Sequence, residues 1–377
     1  MAIAKRKGTK QTQTEASEKT LKFIKTMRKN NFYFLAVIAM AMGAISAHAQ
    51  TSVATVPDGL ITFTLTAGKS SYLSLPLTNN STYTSVVTAV TTNTVSVDDT
   101  PAPFTTNLAT PAAPYFLKFL SGNESGRVML ITANTASSLT VDTTDHASGA
   151  AVALTTTSFN VQVGDTFEVF PGDTLASVFG AGTTASPLLL TGGKNSNLSD
   201  CVSLYTTVGA AAKIYYFNTT SGFWEQYLTT ANANNTIIYP YSAFAIARRA
   251  THPTMTLVLE GRVTQVQAAT KLVSKGSVYT SSHYATSIAL SQLQFGSNWK
   301  TGATMATADT VSVWDSTTGK FNVFYQKPDM TWRMYPNTTT DESSFQITAG
   351  TMTAIEKREA VSGASSFLQS AMPYSLN

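Results

Sequence analysis

From residue 59 onward the side chains keep changing character every second position. Examples are Ile61-Thr62-Phe63-Thr64-Leu65, Tyr72-Leu73-Ser74-Leu75-Pro76-Leu77 and Thr94-Val95-Ser96-Val97. A period of two puts one set of side chains on a buried face and the other on a wet face, the signature of half-buried strands. Thr and Val dominate these runs, and both suit a pleated surface. Long helical periodicity is scarce. A helical turn is expected at Thr174–Phe179, and a short amphipathic helix over Ala354–Ser370. The predicted fold is mainly β, with antiparallel sheets or small barrels in two regions, an internally duplicated second region and little helix.

Two internal echoes organise the chain. The segment 86–99, VVTAVTTNTVSVDD, resembles 130–143, LITANTASSLTVDT. Each reads as a hairpin whose second strand closes on an Asp. The segment 200–227 resembles 309–335: Asp200 aligns with Asp309, Tyr205 with Trp314, Phe217 with Tyr325 and Trp224 with Trp332. The expected layout is an N-terminal β domain at 51–180, a duplicated β-meander domain at 185–360 and a C-terminal tail at 361–377.

The first 49 residues read as an export signal. Phe32 to Ile45 is almost unbroken apolar sequence, preceded by Arg28 and Lys29 and followed by Ala47-His48-Ala49 before Gln50. That is a basic n-region, an apolar h-region and an A-x-A cleavage site. The apolar stretch is too short for a membrane span. Translation from Met27 would give an ordinary signal by itself, so both Met1 and Met27 stand as candidate starts. Export to the cell surface, the periplasm or the medium is expected, with no transmembrane anchor in the mature chain.

Removing this leader changes the charge. The whole chain carries a formal net charge of +4 from 25 basic and 21 acidic residues. Residues 1–49 hold nine of the basic and two of the acidic residues, which leaves 16 against 19, or −3. The mature chain therefore has no basic field for a nucleic-acid backbone, and nucleic acid is not an expected partner. One cysteine, Cys201, allows no internal disulfide in an exported protein.

Chemistry-bearing patterns are sparse. No G-x-S-x-G elbow occurs. The glycine spacing before Lys194 and Lys320 does not make a phosphate loop. His146, His252 and His283 are far apart and lack a metal-ligand spacing. Asp98-Asp99 and Asp142 with Asp145 sit at matching strand ends, where turn formation is the expected role and calcium binding the alternative. The expectation is no catalytic residue, no cofactor and no metal. Trp224, Tyr227, Trp332 and Tyr335 are the candidate glycan contacts, with cross-strand packing as the competing role.

The segments GLITFTLTAGKSSYLSLPL (59–77), ESGRVMLITANTASSLTVD (124–142) and VQVGDTFEVFPGDTLASVFG (161–180) carry a resemblance, joined by IYYFNTTSGFWEQ (214–226) and the final PYSL (373–376). Together they resemble an uncharacterised family of secreted, β-rich proteins found as many paralogues in verrucomicrobial bacteria. That resemblance implies export and a β-rich build, and no ligand or activity. The function expected first is a non-catalytic envelope or extracellular matrix protein acting by self-association or surface contact. The alternative is a carbohydrate-binding β protein that contacts cell-surface polysaccharide through its aromatic residues.

Overall fold

The alternating runs form strands, and every pair of named strands is antiparallel. The computed structural model describes residues 58–105, 107–144, 151–156, 159–205, 211–272, 275–296, 298–358, 366–370 and 372–373. The leader 1–49, Asp145 and His146 lie outside the described residues. Mainly β architecture with little helix is what the chain adopts. Among the described residues the one α-helix is Leu175–Phe179. Thr174 caps it, its hydroxyl accepting from the Ser177 amide while the Ser177 hydroxyl accepts from the Thr174 amide. No described helix is long and apolar enough to cross a membrane.

The helix expected over Ala354–Ser370 is not formed where the chain is described. Thr353–Lys357 and Ser366–Ser370 are strands. Thr353, Ile355 and Lys357 point inward while Glu356 points out, so period two governs there.

Three sheets dominate. A seven-stranded sheet runs in the order Tyr83–Val86, Thr166–Pro171, Tyr115–Phe119, Val128–Asn134, Ser138–Val141, Thr94–Ser96, Ala89–Val90. The second strands of the two echoing hairpins pair with each other, Val95 opposite Leu139. A first five-stranded sheet has the order Phe223–Gln226, Lys213–Asn218, Cys201–Leu204, Ala243–Ala247, Ser70–Ser74. A second has Trp332–Tyr335, Lys320–Gln326, Thr310–Asp315, Thr353–Lys357, Gly276–Thr280. Each sheet covers its own apolar core, around Leu117 and Val169, around Trp224 and Phe244, and around Trp332 and Ile355.

The first strands do not pair with the sheet that follows them in sequence. Asp58–Leu65 pairs with Met255–Val263, and Ser70–Ser74 with Ala243–Ala247. The ranges 51–180 and 185–360, expected as separate domains, are thereby joined, and the seven-stranded sheet stands as an excursion between Thr78 and Asp173.

The two five-stranded sheets also share their buried polar anchors. Asp200 accepts from the Thr191 amide nine residues before it, pairs with Arg248 48 residues after it, and accepts from the Arg249 amide 49 after it. Asp309 does the same with the Lys300 amide, Lys357 and the Arg358 amide, at separations of 9, 48 and 49. The sheets also clasp each other reciprocally. The Ser74 amide donates to the Gly350 carbonyl at 2.8 Å, and the Ser281 amide to the Tyr241 carbonyl at 3.0 Å.

One register differs from the sequence alignment. Cys201 lies opposite Tyr216, and Thr310 opposite Tyr325. Tyr216, not Phe217, is therefore the counterpart of Tyr325. The tryptophans remain counterparts, because Phe217 faces Trp224 and Gln326 faces Trp332.

Candidate functional site: a tyrosine-lined cleft

Of the four aromatic residues expected to contact glycan, two are core. Trp224 is 0 % exposed, with its Nε1 donating to the Gly180 carbonyl at 2.8 Å and its ring against Phe179 and Phe217. Trp332 is 1 % exposed among Phe295 and Trp299. Neither ring offers a face to a sugar, so the platform role is corrected for both: cross-strand packing has taken them. Tyr227 and Tyr335 are 47 % and 54 % exposed, but they stand at the outer strands of different sheets. The fold does not assemble these four into one surface.

A different aromatic group is assembled. A cleft of about 200 Å³ opens where all three large sheets meet. The seven-stranded sheet supplies Arg127, Met129 and Asp142. Leu204, Tyr205 and the approach to Ala243–Ala247 bring in the first five-stranded sheet, including Tyr239 and Tyr241. Ser277–Thr280 and the adjoining Ala269–Leu272 strand complete the wall. Tyr205 and Tyr279 meet with ring centroids 4.5 Å apart and planes tilted by 38°. Leu204, Leu272 and Ile238 make the apolar part of the lining; Ser242, Ser277, Thr270 and Thr280 also line it, the two threonine hydroxyls being bonded to each other, to His283 and to the Tyr241 carbonyl. Ligand sites commonly combine apolar and aromatic walls with a few convergent polar groups.

The cleft's charges are balanced by neighbours. Arg127 pairs with Glu124 at 2.7 Å and lies 3.7 Å over the Phe159 ring, and Lys271 approaches the same ring at 4.8 Å. Burial raises the Glu124 carboxyl, while the Arg127 charge opposes that shift. Burial first, then the neighbouring Tyr72 and Tyr279, pushes the Tyr205 phenol up to about 12. Tyr239 is raised as well, by burial and then by Asp142. Both phenols therefore remain neutral donors throughout the physiological range.

Behind the cleft sits a buried polar cluster. The Lys118 ammonium donates to the Tyr241 hydroxyl at 3.1 Å, and that oxygen lies 2.9 Å from Thr264 Oγ1. His283 is fully buried, with Nε2 2.7 Å from Thr270 Oγ1 and Nδ1 3.2 Å from Ser370 Oγ. Burial and then the Lys118 charge lower its pKa to about 3, so the ring is neutral. Tyr241 and His283 both have left-handed backbones, φ 61° and 69°. Strained non-glycine positions of this kind concentrate at functional sites.

The other residues weighed from sequence have structural surroundings. The Cys201 thiol is buried, bonded to the Ser196 carbonyl, and raised by burial. His252 bonds Asp200 at 2.8 Å. Asp99 receives the Tyr83 and Ser85 hydroxyls, and Asp142 accepts from the Thr144 amide. Among the described residues no three His, Cys, Asp or Glu side chains gather as metal ligands do. Compared with known proteins, the chain matches no family model, no curated protein and no solved structure.

Proposed function

We propose that this is an exported, non-catalytic β protein that works by contact with carbohydrate, and that the tyrosine cleft is where it makes that contact. The observation that carries the reading is the junction itself. Three sheets converge on one concave site where Tyr205 and Tyr279 pair at 4.5 Å and hydroxyls border an apolar wall. A pyranose has an apolar ring face and a rim of hydroxyls, and it matches such a lining in both respects. The export part of the reading rests on the n-region, h-region and A-x-A pattern in residues 28–49.

Titration calorimetry of the mature chain with a panel of free hexoses, N-acetylhexosamines and soluble polysaccharides tests it. At least one sugar should bind, and Tyr279→Ala should weaken that binding about tenfold, ~1.4 kcal/mol. A panel without a binder, or binding indifferent to Tyr279, would defeat the proposal.

Self-association is the second reading. Ile214, on the second strand of the first five-stranded sheet, and Tyr227 and Leu228, just after its outer strand Phe223–Gln226, are exposed side by side, the Tyr227 amide donating to the Ile214 carbonyl. Its edge is partly covered, since the Ala233 amide already donates to the Trp224 carbonyl. Sedimentation of the mature chain at rising concentration separates the two: this reading requires dimers or larger species that Leu228→Lys dissolves.

A further inference from the structure

The two five-stranded sheets can be laid on each other position by position, because their strands pair in the same order and register. Each sheet then shows one row of side chains that runs across all its strands on the face away from its core. In the first sheet Tyr72 lies opposite Ala245, Ala245 opposite Ser203, and Ser203 opposite Ile214. The Tyr227 amide, donating to the Ile214 carbonyl, continues that row. In the second sheet Tyr279, Ala354, Ser312, Val323 and Tyr335 stand opposite one another in the same way. Residues directly opposite across strands share a face, so each row is one strip of surface.

These rows have kept their residues while the rows beside them have drifted. Tyr, Ala, Ser and Tyr recur at the same places, and the one exchange, Ile214 for Val323, is conservative. The neighbouring row on the core face runs Leu73, Phe244, Leu204, Lys213 in the first sheet. In the second it runs Thr280, Thr353, Val313, Asn322, with no residue in common. Packing ordinarily holds core positions more firmly than surface ones. A surface strip that resists change while the core does not is held by contact with something outside the chain. Contacts within the fold account for the inner ends alone, where Tyr72 meets Trp314 at 4.4 Å and Tyr279 meets Tyr205 at 4.5 Å. The outer ends, Ile214 with Tyr227 and Val323 with Tyr335, face solvent, and both tyrosines are about half exposed.

The chemistry of the strips narrows the partner. No member is charged. Phenol rings beside aliphatic side chains and a serine suit an uncharged ligand with apolar faces and a rim of hydroxyls. Two copies of the same strip suit a ligand that itself repeats. Strands about 4.8 Å apart place Tyr279 and Tyr335 roughly 19 Å apart across the second sheet, the reach of several sugar units. The strips also lead to the cleft, since Tyr279 is both the inner end of one and, with Tyr205, the aromatic wall of the other's approach.

Resting on the carbohydrate reading above, we infer that the two strips bind a linear, uncharged polysaccharide over successive units, with Tyr227 and Tyr335 as equivalent outer contacts. Each phenol face, with Ile214 or Val323 beside it, takes the apolar face of one sugar. The Ser203 and Ser312 hydroxyls lie next along the strips, toward the cleft.

Affinity electrophoresis of the mature chain through gels holding a soluble β-glucan, a galactomannan, an arabinoxylan or alginate tests this, beside thermal melts of each variant. At least one neutral polymer should retard the native chain, and alginate should not. Tyr227→Ala and Tyr335→Ala should each weaken that retardation at least fivefold, and the double variant more than either. Both should melt at the native temperature, because the rings are exposed. Leu60→Ala removes an exposed apolar side chain outside the strips and should be retarded like the native chain. Equal loss in Leu60→Ala would mark the retention as nonspecific and overturn the inference. A lower melting temperature in the tyrosine variants would show that the rings pack rather than bind, and would overturn it too. So would native retardation of the double variant. Dimers in sedimentation that both tyrosine variants dissolve would assign the strips to a second copy of this chain. Retardation by alginate alone would overturn the uncharged class. A native chain that binds a free sugar in the cleft but is held by none of the gels sinks this inference and leaves the carbohydrate reading standing. A chain that binds neither sugar nor polymer sinks both.

Discussion

At the scale of single residues, His283 has the most exposed consequence of burial. Its ring is neutral in the fold, with a pKa of about 3 against 6.5 for a free histidine, because burial and then Lys118 penalise the cation. Lys118, Tyr241 and Tyr284 are the ionisable groups around it, from three different segments. The unfolded chain binds a proton at this position below pH 6.5 and the folded chain does not. The contribution to stability is therefore whole above pH 6.5 and falls as pH drops toward 3. Between pH 6.5 and 5, above most carboxylate titrations, it should fall by about 2 kcal/mol. Denaturant melts at those two pH values check this. His283→Gln should remove that part of the slope, and an equally steep slope in the variant would show that the proton goes elsewhere. The sequence showed an isolated histidine in a polar context and gave no sign of its burial. His283 lies on a left-handed turn, and the groups around it, Lys118, Tyr241 and Ser370, come from distant segments.

At the scale of strands and turns, the repeated aspartate anchors make the sharpest prediction. The Asp200–Arg248 and Asp309–Lys357 side chains are all at most 3 % exposed. Each carboxylate also holds two backbone amides from separate loops. Removing one partner leaves a buried charge and orphaned donors, so Asp200→Ala and Asp309→Ala should each cost about 3–5 kcal/mol. Urea titrations of both variants should give similar losses; a loss below ~1 kcal/mol at either site would show that water reaches the anchor. Strand existence was legible from alternation, and a helical turn was expected at Thr174–Phe179. The correspondence of Asp200 with Asp309 was legible too, since both open a strand. The Tyr216 register was not, because the chain supplies Tyr215-Tyr216-Phe217 and a one-residue shift exchanges buried and outward faces without changing composition. The burial of Trp224 and Trp332 was also ambiguous in sequence, since a ring that packs across strands and a ring that stacks on sugar occupy the same kind of position. The cleft tyrosines were harder still: Tyr205, Tyr239, Tyr241 and Tyr279 come from distant segments, and no local pattern sets them apart, since Ser-x-Tyr recurs at Ser70, Ser81, Ser203, Ser277 and Ser282.

At the scale of the whole molecule, chain order and spatial order part company, and this decides what can fold alone. The apolar core around Trp224 and Phe244 includes Ile61, Phe63, Leu65, Leu73, Leu75 and Leu77 from the start of the described chain. Their strands pair with strands at 243–263, beyond the entire seven-stranded sheet, and Leu73 also bridges Thr351. Pairings of such sequence separation are invisible to local periodicity, which is why the chain reads from sequence as two successive regions. The seven-stranded sheet, in contrast, finds all its strands between Tyr83 and Pro171 and encloses its own core. A fragment of residues 50–180 should therefore fold in part. Amides of Leu117, Phe119 and Val169 should be protected from hydrogen exchange, whereas those of Ile61, Phe63 and Leu73 should exchange as in an unfolded chain. Adding a second fragment, residues 181–377, should restore protection to the second group by supplying Met255–Val263 and Ala243–Ala247. Protection of Ile61 in the first fragment alone would mean that these strands have found a partner within residues 50–180. The grouping that joins residues 58–78 to the distant 243–263 strands would then no longer describe how this chain divides.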